Sequence, residues 1–200
     1  SGAELAGLDA SEKMIEAAKA KFPNLKFINA KGESFIDSEP YDAIFSNATL
    51  HWILNPEAVI SCMYSNLKPD GRLLLEMGGN GNISSITNAL SATLKEHGYS
   101  KQSRITNWYF PKLGTYCHFL EQRGFKVTFA HLYDRPTKLQ DPDNGIIDWL
   151  DMFGGRYFNN IPQEEALKIK QQVQEELRPV LFKDGHFYAD YKRLRICAIK

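Results

Sequence analysis

The sequence predicts an α/β fold built on an open, mostly parallel sheet, and three observations carry that reading. Short apolar segments alternate with segments of helical period along the first 135 residues. One of them, Leu73-Leu74-Leu75, is the continuous apolar run expected of a strand covered on both faces. The chain then closes on an alternating strand, Leu194, Ile196 and Ala198, behind a hairpin-type Asp184-Gly185 turn, which suits an antiparallel C-terminal strand.

In order along the chain, Glu4 to Leu8 reads as a first strand ending in Asp9. Ser11 is an N-cap, Glu12 favours the positive end of the helix dipole, and Met14, Ile15, Ala18 and Phe22 recur at helical spacing until Pro23-Asn24 stops the helix. Leu25–Ile28 and Tyr41–Ser46 are the next strands. Pro56 opens a helix reaching about Leu67, and Lys68-Pro69-Asp70-Gly71 is expected to be a turn. Ile83, Ile86, Leu90 and Leu94 mark a helix closed by His97-Gly98. A short helix over 116–123 ends at Gly124, and Phe125–Leu132 follows as a strand. Residues 136–144, polar and rich in Pro and Asp, read as a linker. Two helices come next: Ile146 to about Phe153, then one opening at Pro162 with Ala166, Ile169, Val173 and Leu177 on one face, stopping before Pro179. The expected organisation is a core of 1–135 with 180–200, and a helical insertion over 136–179 that serves as a lid beyond the strand ends.

Composition narrows the function classes. The 200 residues carry 24 Lys and Arg against 24 Asp and Glu, so no strong basic field is available for nucleic acid or anionic lipid. No apolar run approaches the about 20 residues of a membrane span. The first ten residues lack Lys and Arg, so no secretory signal is expected. Cys62, Cys117 and Cys197 are an odd number without CxxC spacing, which argues against a disulfide scaffold or a zinc site and for reduced thiols in a cytoplasmic protein. Oligomeric state is not readable.

Two segments could carry chemistry. Asp9, at the end of a strand, is placed to accept hydrogen bonds from ribose hydroxyls, or equally to serve as a helix N-terminal acid. The loop Ser46-Asn47-Ala48-Thr49-Leu50-His51-Trp52 packs polar, imidazole and indole groups directly after a strand; it could equally be a capping Asn and a rim Trp.

With these segments in view, the chain resembles a known family. Gly7-Leu8-Asp9-Ala10-Ser11 with Met14, Tyr41-Asp42-Ala43-Ile44-Phe45-Ser46-Asn47, and Leu67-Lys68-Pro69-Asp70-Gly71 before a strand resemble the class I S-adenosylmethionine-dependent methyltransferases. The run Asn47 to Trp52, Ile146-Ile147-Asp148-Trp149 and Gly155-Arg156 are similar to the trans-aconitate methyltransferase branch. The resemblance implies a Rossmann-like sheet and S-adenosylmethionine as cofactor. It places Asp9 on the ribose, Ala10 and Met14 against adenine, Gly32 and Glu33 at the adenine edge, and Asn47 near the methionine moiety. Lys31 stands where the family often has an acid; a cation cannot accept from the adenine amino group, so Glu33 or backbone would serve.

The family also opens with a Gly-rich strand-turn-helix ahead of the segment corresponding to Asp9, and none precedes it here. Gly78-Gly79-Asn80-Gly81 falls too late in the order. The N-terminal strand-helix unit is therefore expected to be missing, and this chain, as a truncated form, to bind S-adenosylmethionine poorly. The implied acceptor is a small molecule: a carboxylate such as trans-aconitate is one candidate, and polyketide-like acids, quinones and other small molecules are methylated on similar scaffolds. Arg156 is the candidate carboxylate-binding residue, and Tyr157, Trp108, Tyr109, His51 and Trp52 are candidate pocket residues. No catalytic base and no metal are expected. His118 and His186 are given no role, His186 being expected in solvent beside its turn. Two further readings stand beside this one: a non-catalytic Rossmann-like interaction module, for which the missing turn would be native, and an NAD(P)-dependent oxidoreductase, in which Asp9 would also suit a ribose.

Overall fold

The computed structural model describes residues 2–200. Its elements, in order, are β1 (Ala6–Asp9), α1 (Glu12–Lys21), β2 (Lys26–Asn29), β3 (Tyr41–Asn47), α2 (Pro56–Ser65), β4 (Leu67–Gly78), α3 (Ser84–Glu96), α4 (Leu113–Arg123), β5 (Lys126–Asp134), β6 (Thr137–Lys138), α5 (Gly145–Phe153), α6 (Gln163–Leu181), β7 (Phe182–Lys183), β8 (His186–Ala189) and β9 (Lys192–Ile199). They divide into two compact units. One takes the stretch up to Leu75 with Gly114–Ala130 and Arg195–Lys200; the other takes Glu76–Leu113 and His131–Leu194. The helical segment 136–179 lies in the second unit.

In the first unit, local chemistry sets the helix starts. The Ser11 hydroxyl accepts from the Met14 N–H at 3.4 Å to open α1, and Asn55 Oδ1 accepts from Ala58 N–H at 3.2 Å to open α2 behind Pro56. β1 and β2 pair in parallel, Ala6 opposite Lys26 and Asp9 opposite Asn29. Gly7 permits that packing, because the Phe27 ring lies 2.8 Å from where a Cβ would stand. The main sheet has the order β3-β4-β9-β5. β9 runs against β4: Lys200 exchanges hydrogen bonds with Asp70 and Gly71, while the Lys192 carbonyl accepts from Gly79 N–H. The core here includes Leu50, Val59, Ile60, Leu67, Leu73, Leu75, Tyr116 and Leu120, all buried.

Two expectations are corrected in β4. Lys68-Pro69-Asp70-Gly71 is not a turn that precedes the strand; it lies inside β4, the bend being taken up by Asp70 at φ 61°. The pairing of Lys200 on both sides of that bend keeps the segment in the sheet. The leucine run is also not covered on both faces: Leu73 and Leu75 are buried, but Leu74 is 42% exposed, as the two-residue period of a strand dictates when one face is open.

In the second unit, β6, β8 and β7 form a small antiparallel sheet. The β7–β8 hairpin turns through Asp184 and Gly185 at φ 51° and 76°, both positive as a two-residue turn of this hand requires. Part of the expected linker is thus strand: Thr137 pairs with Ala189, and Lys138 with Tyr188. α6 continues past Pro179 into a last turn. The carbonyl at Glu175, which loses its donor there, belongs to an exposed residue that water can reach. His186 is half-buried and its Nδ1 is shielded without a partner, so it does not stand free in solvent. Gly78 serves packing, since the Phe110 ring lies 2.5 Å from the position of a Cβ.

α3, α5, α6 and β8 enclose an apolar core that includes Leu90, Leu94, Ile146, Leu150, Ile169, Val173 and Phe187. Buried Gln174 ties α6 to α5. Its Oε1 accepts from the Ile146 and Ile147 N–H groups at 3.2 and 3.4 Å, and its Nε2 donates to the Asp143 carbonyl at 2.8 Å. The start of α5, which has no side-chain cap of its own, is satisfied in this way from another helix.

Candidate active site

The first unit contains a cleft of about 580 Å³. β1 and β3 both line it. β1 pairs with β2 and β3 with β4; among the described residues neither carries a strand on its other edge. The segment Lys31–Glu33 with Phe35 forms another part of the wall, and Val59, Cys62 and Met63 of α2 a third.

Asp9 ends β1. One carboxylate oxygen accepts from the Ser11 N–H at 2.7 Å, which fixes the side chain at the strand tip. Its backbone carbonyl accepts from Asn29 Nδ2 and from Ala30 N–H, each at 3.1 Å. The second carboxylate oxygen bonds no group among the described residues and can accept from a hydroxyl.

The segment that carries Lys31 and Glu33 is pinned from behind. Asn66 donates through Nδ2 to the Phe35 carbonyl at 2.8 Å and accepts the Asp37 N–H at 2.7 Å. Asp37 in turn accepts from the Tyr41 hydroxyl and from Lys26 Nζ, and these two hold its carboxyl down at about 2. The Cys62 thiol is pushed up by burial and by the nearby Glu33 carboxylate, which keeps it protonated at neutral pH. Lys31 is exposed and Glu33 half-buried.

At the end of β3, Asn47 is exposed, Thr49 Oγ1 donates to its carbonyl at 3.1 Å, and Ala48 takes a left-handed φ of 55° to turn the chain into a short 3-10 helix, Leu50–Trp52. Trp52 is 43% exposed and lines the cleft. His51 is buried, its ring 5.6 Å from the Trp52 ring centroid, and does not line it.

Of the six residues singled out for the cofactor, Asp9, Ala10, Gly32, Glu33 and Asn47 line this one cleft. Met14 is not among the lining residues; it stands 60% exposed on α1. Cys62 and Met63 line the cleft without having been singled out. Their spacing from Val59 along α2, three and four residues, marks one helix face and was the available signal.

The candidate substrate residues belong to the second unit. Trp108 and Tyr157 are part of its core, with ring centroids 6.0 Å apart, and burial pushes the Tyr157 hydroxyl up. Tyr109 is half-buried. Arg156 is exposed in the 3-10 turn Gly155–Phe158 and makes no ion pair among the described residues.

Residues 1–75 match a family model described as a methyltransferase domain. Over 206 aligned residues the chain is 32% identical to an uncharacterized methyltransferase of Schizosaccharomyces pombe, covering 97% of this chain and 77% of that protein. The chain belongs to the class I S-adenosylmethionine-dependent methyltransferases. This methyltransferase is also 28% identical to a trans-aconitate 2-methyltransferase of an Enterobacter species, over 88% of the chain and 68% of that protein. In fold it is similar to the YcgJ protein of Bacillus subtilis, with a TM-score of 0.63 over 98% of this chain and 82% of that one, at 18% identity.

The residues present fit the family's cofactor. The cleft has the size of a small-molecule site, and it offers a strand-end carboxylate with an uncommitted oxygen, a second acceptor in Glu33 and apolar walls. Among the described residues no helix is long and apolar enough to cross a membrane, and no group of three or more His, Cys, Asp or Glu could hold a metal ion.

Proposed function

We propose that this methyltransferase methylates a carboxylate of a small polycarboxylic acid of the trans-aconitate kind. The observation that carries the cofactor side of the reading is the gathering of Asp9, Ala10, Gly32, Glu33 and Asn47 around one cleft. Asp9 accepts the ribose hydroxyls on its uncommitted oxygen, Ala10 packs against adenine, Glu33 replaces the acid absent at Lys31 as acceptor from the adenine amino group, and Asn47 sits by the methionine end. The similarity to a trans-aconitate 2-methyltransferase and the unpaired, exposed Arg156 support the substrate class.

When bound, S-adenosylmethionine supplies an electrophilic methyl on a sulfonium. A substrate carboxylate is already ionised at neutral pH, so the protein need provide no general base. A substrate carboxylate oxygen would take that methyl from the sulfonium sulfur, giving a methyl ester and S-adenosylhomocysteine. What the chain contributes is alignment. Arg156 grips a non-reacting carboxylate through its planar fork, since pairing with the reacting one would blunt the nucleophile. Exclusion of water from the site would favour a step in which opposite charges are consumed.

Because β1 and β3 leave the cleft open along two strand edges, this chain binds cofactor weakly. Titration with S-adenosylhomocysteine into the millimolar range, followed by NMR, is expected to shift the amides of Asp9, Ala10 and Gly32–Glu33, and Asp9→Ala to weaken that binding at least about tenfold. Unchanged binding by Asp9→Ala would remove Asp9 from the ribose. For the substrate, transfer of labelled methyl to trans-aconitate is expected to exceed transfer to its neutral esters. Arg156→Ala should raise KM for the acid by about tenfold or more with a smaller effect on kcat. Equal rates with acid and esters, or unchanged KM, would refute the carboxylate assignment.

A further inference from the structure

We propose that His97 is a proton-gated clip holding α6 against the end of α3, closed while the imidazole carries both protons and released when it loses one. Nδ1 of His97 lies 2.7 Å from Glu165 Oε1, and Nε2 lies 2.8 Å from Gln172 Oε1. The orientation of the Gln172 amide is set by its other neighbours. Its Nε2 donates to Glu96 Oε2 at 2.8 Å and to Glu176 Oε1 at 2.9 Å. A reversed amide would set its carbonyl against two carboxylates, so the carbonyl must face the ring. Both ring nitrogens therefore face oxygens that only accept. An imidazolium donates to both; either neutral tautomer turns one lone pair against an oxygen.

The surroundings favour the same state. His97 is the C-cap of α3, where the helix dipole attracts a cation. From α3, Glu96 acts on the ring. From α6, Glu165 binds it directly, and Glu176 binds through Gln172 and also lies 3.4 Å from Thr93 Oγ1. Lys168 reaches Glu164 at 2.9 Å and Glu165 at 4.0 Å. Lys95 of α3, and Lys101 and Arg104 at the short turn 102–104 that also packs on α3, are exposed and form no ion pair among the described residues. The cluster is therefore rich in carboxylates, and the imidazolium is the cation that joins the two helices. Its hydrogen bonds to Gln172 and then to Glu165 hold the ring above its ordinary value, so the stabilisation is complete below about 6.5 and is lost as pH rises through the folded value.

The test follows the His97 ring by NMR and the α6 amides by hydrogen exchange, corrected for intrinsic rates, between about pH 5.5 and pH 9. His97 is expected to titrate above 6.5, and protection of the first half of α6 to fall by about tenfold across that midpoint. In His97→Gln, which is neutral throughout, α6 protection should not change over the same range. Should that variant misfold, Glu165→Gln keeps an acceptor but removes the charge, and should lower the His97 midpoint. A midpoint at or below 6.5, α6 protection that ignores it, an unchanged midpoint in Glu165→Gln, or equal pH dependence in His97→Gln would overturn the proposal.

Discussion

Asp37 shows how a residue that does not itself line the cleft shapes it. Its carboxylate collects the Tyr41 hydroxyl and Lys26 Nζ, and its backbone N–H reaches Asn66. The pair titrates apart: Tyr41 and Lys26 hold Asp37 at about 2, while burial and then Asp37 push the Tyr41 hydroxyl up to about 12. A carboxylate whose folded value is depressed stabilises the fold above its unfolded value and stops doing so as pH falls through the folded one. Asp37→Asn is therefore expected to lower Tm at neutral pH, with the difference from wild type shrinking below about pH 4 and vanishing near about pH 2. Thermal melts of both proteins across that range check this, and a difference independent of pH would count against it. The N-cap Ser11 was legible in the sequence because it bonds three residues away, whereas the start of α2 was read from Pro56 and its Asn55 cap emerged only in the structure. Asp37, Tyr41 and Asn66 were not legible, since Asn66 meets Asp37 across 29 positions.

At the level of elements, the amphipathic stripe of α6 was readable from its period, and its Ala166, Ile169, Val173 and Leu177 are buried. The neighbour of that stripe was not. Gln174, one residue beyond Val173 and buried with it, caps α5 from 28 positions away. Gln174→Leu leaves the buried Ile146 N–H and the part-buried Ile147 N–H of α5 without acceptors and is expected to cost about 1–3 kcal/mol. Urea unfolding is the measurement, with a near-neutral result showing that the α5 start finds another acceptor. Likewise, Lys68-Pro69-Asp70-Gly71 has the composition of a turn, but pairing with Lys200 draws it into β4. Local preference proposed the bend, and the sheet decided where it would be used.

At the scale of the molecule, the sheet edges bordering the cleft carry the main consequence. Phe45, 74% exposed on β3, and Leu8, 38% exposed on β1, stand on strands with open edges. Such edges are templates for another strand. Concentration-dependent self-association is expected in sedimentation velocity, and Phe45→Lys should reduce it; a chain that stays monomeric at high concentration would contradict this. Alternation of strand and helix, the Ser11 cap of α1 and the Asp184-Gly185 hairpin were determined by the sequence itself, because period and turn chemistry act over a few residues. The gathering of Asp9, Glu33 and Asn47 around one cleft, the placement of Trp108 and Tyr157 in a core and the His97 clip were decided by tertiary structure alone, since each depends on groups far apart in the chain meeting at hydrogen-bond or packing distance.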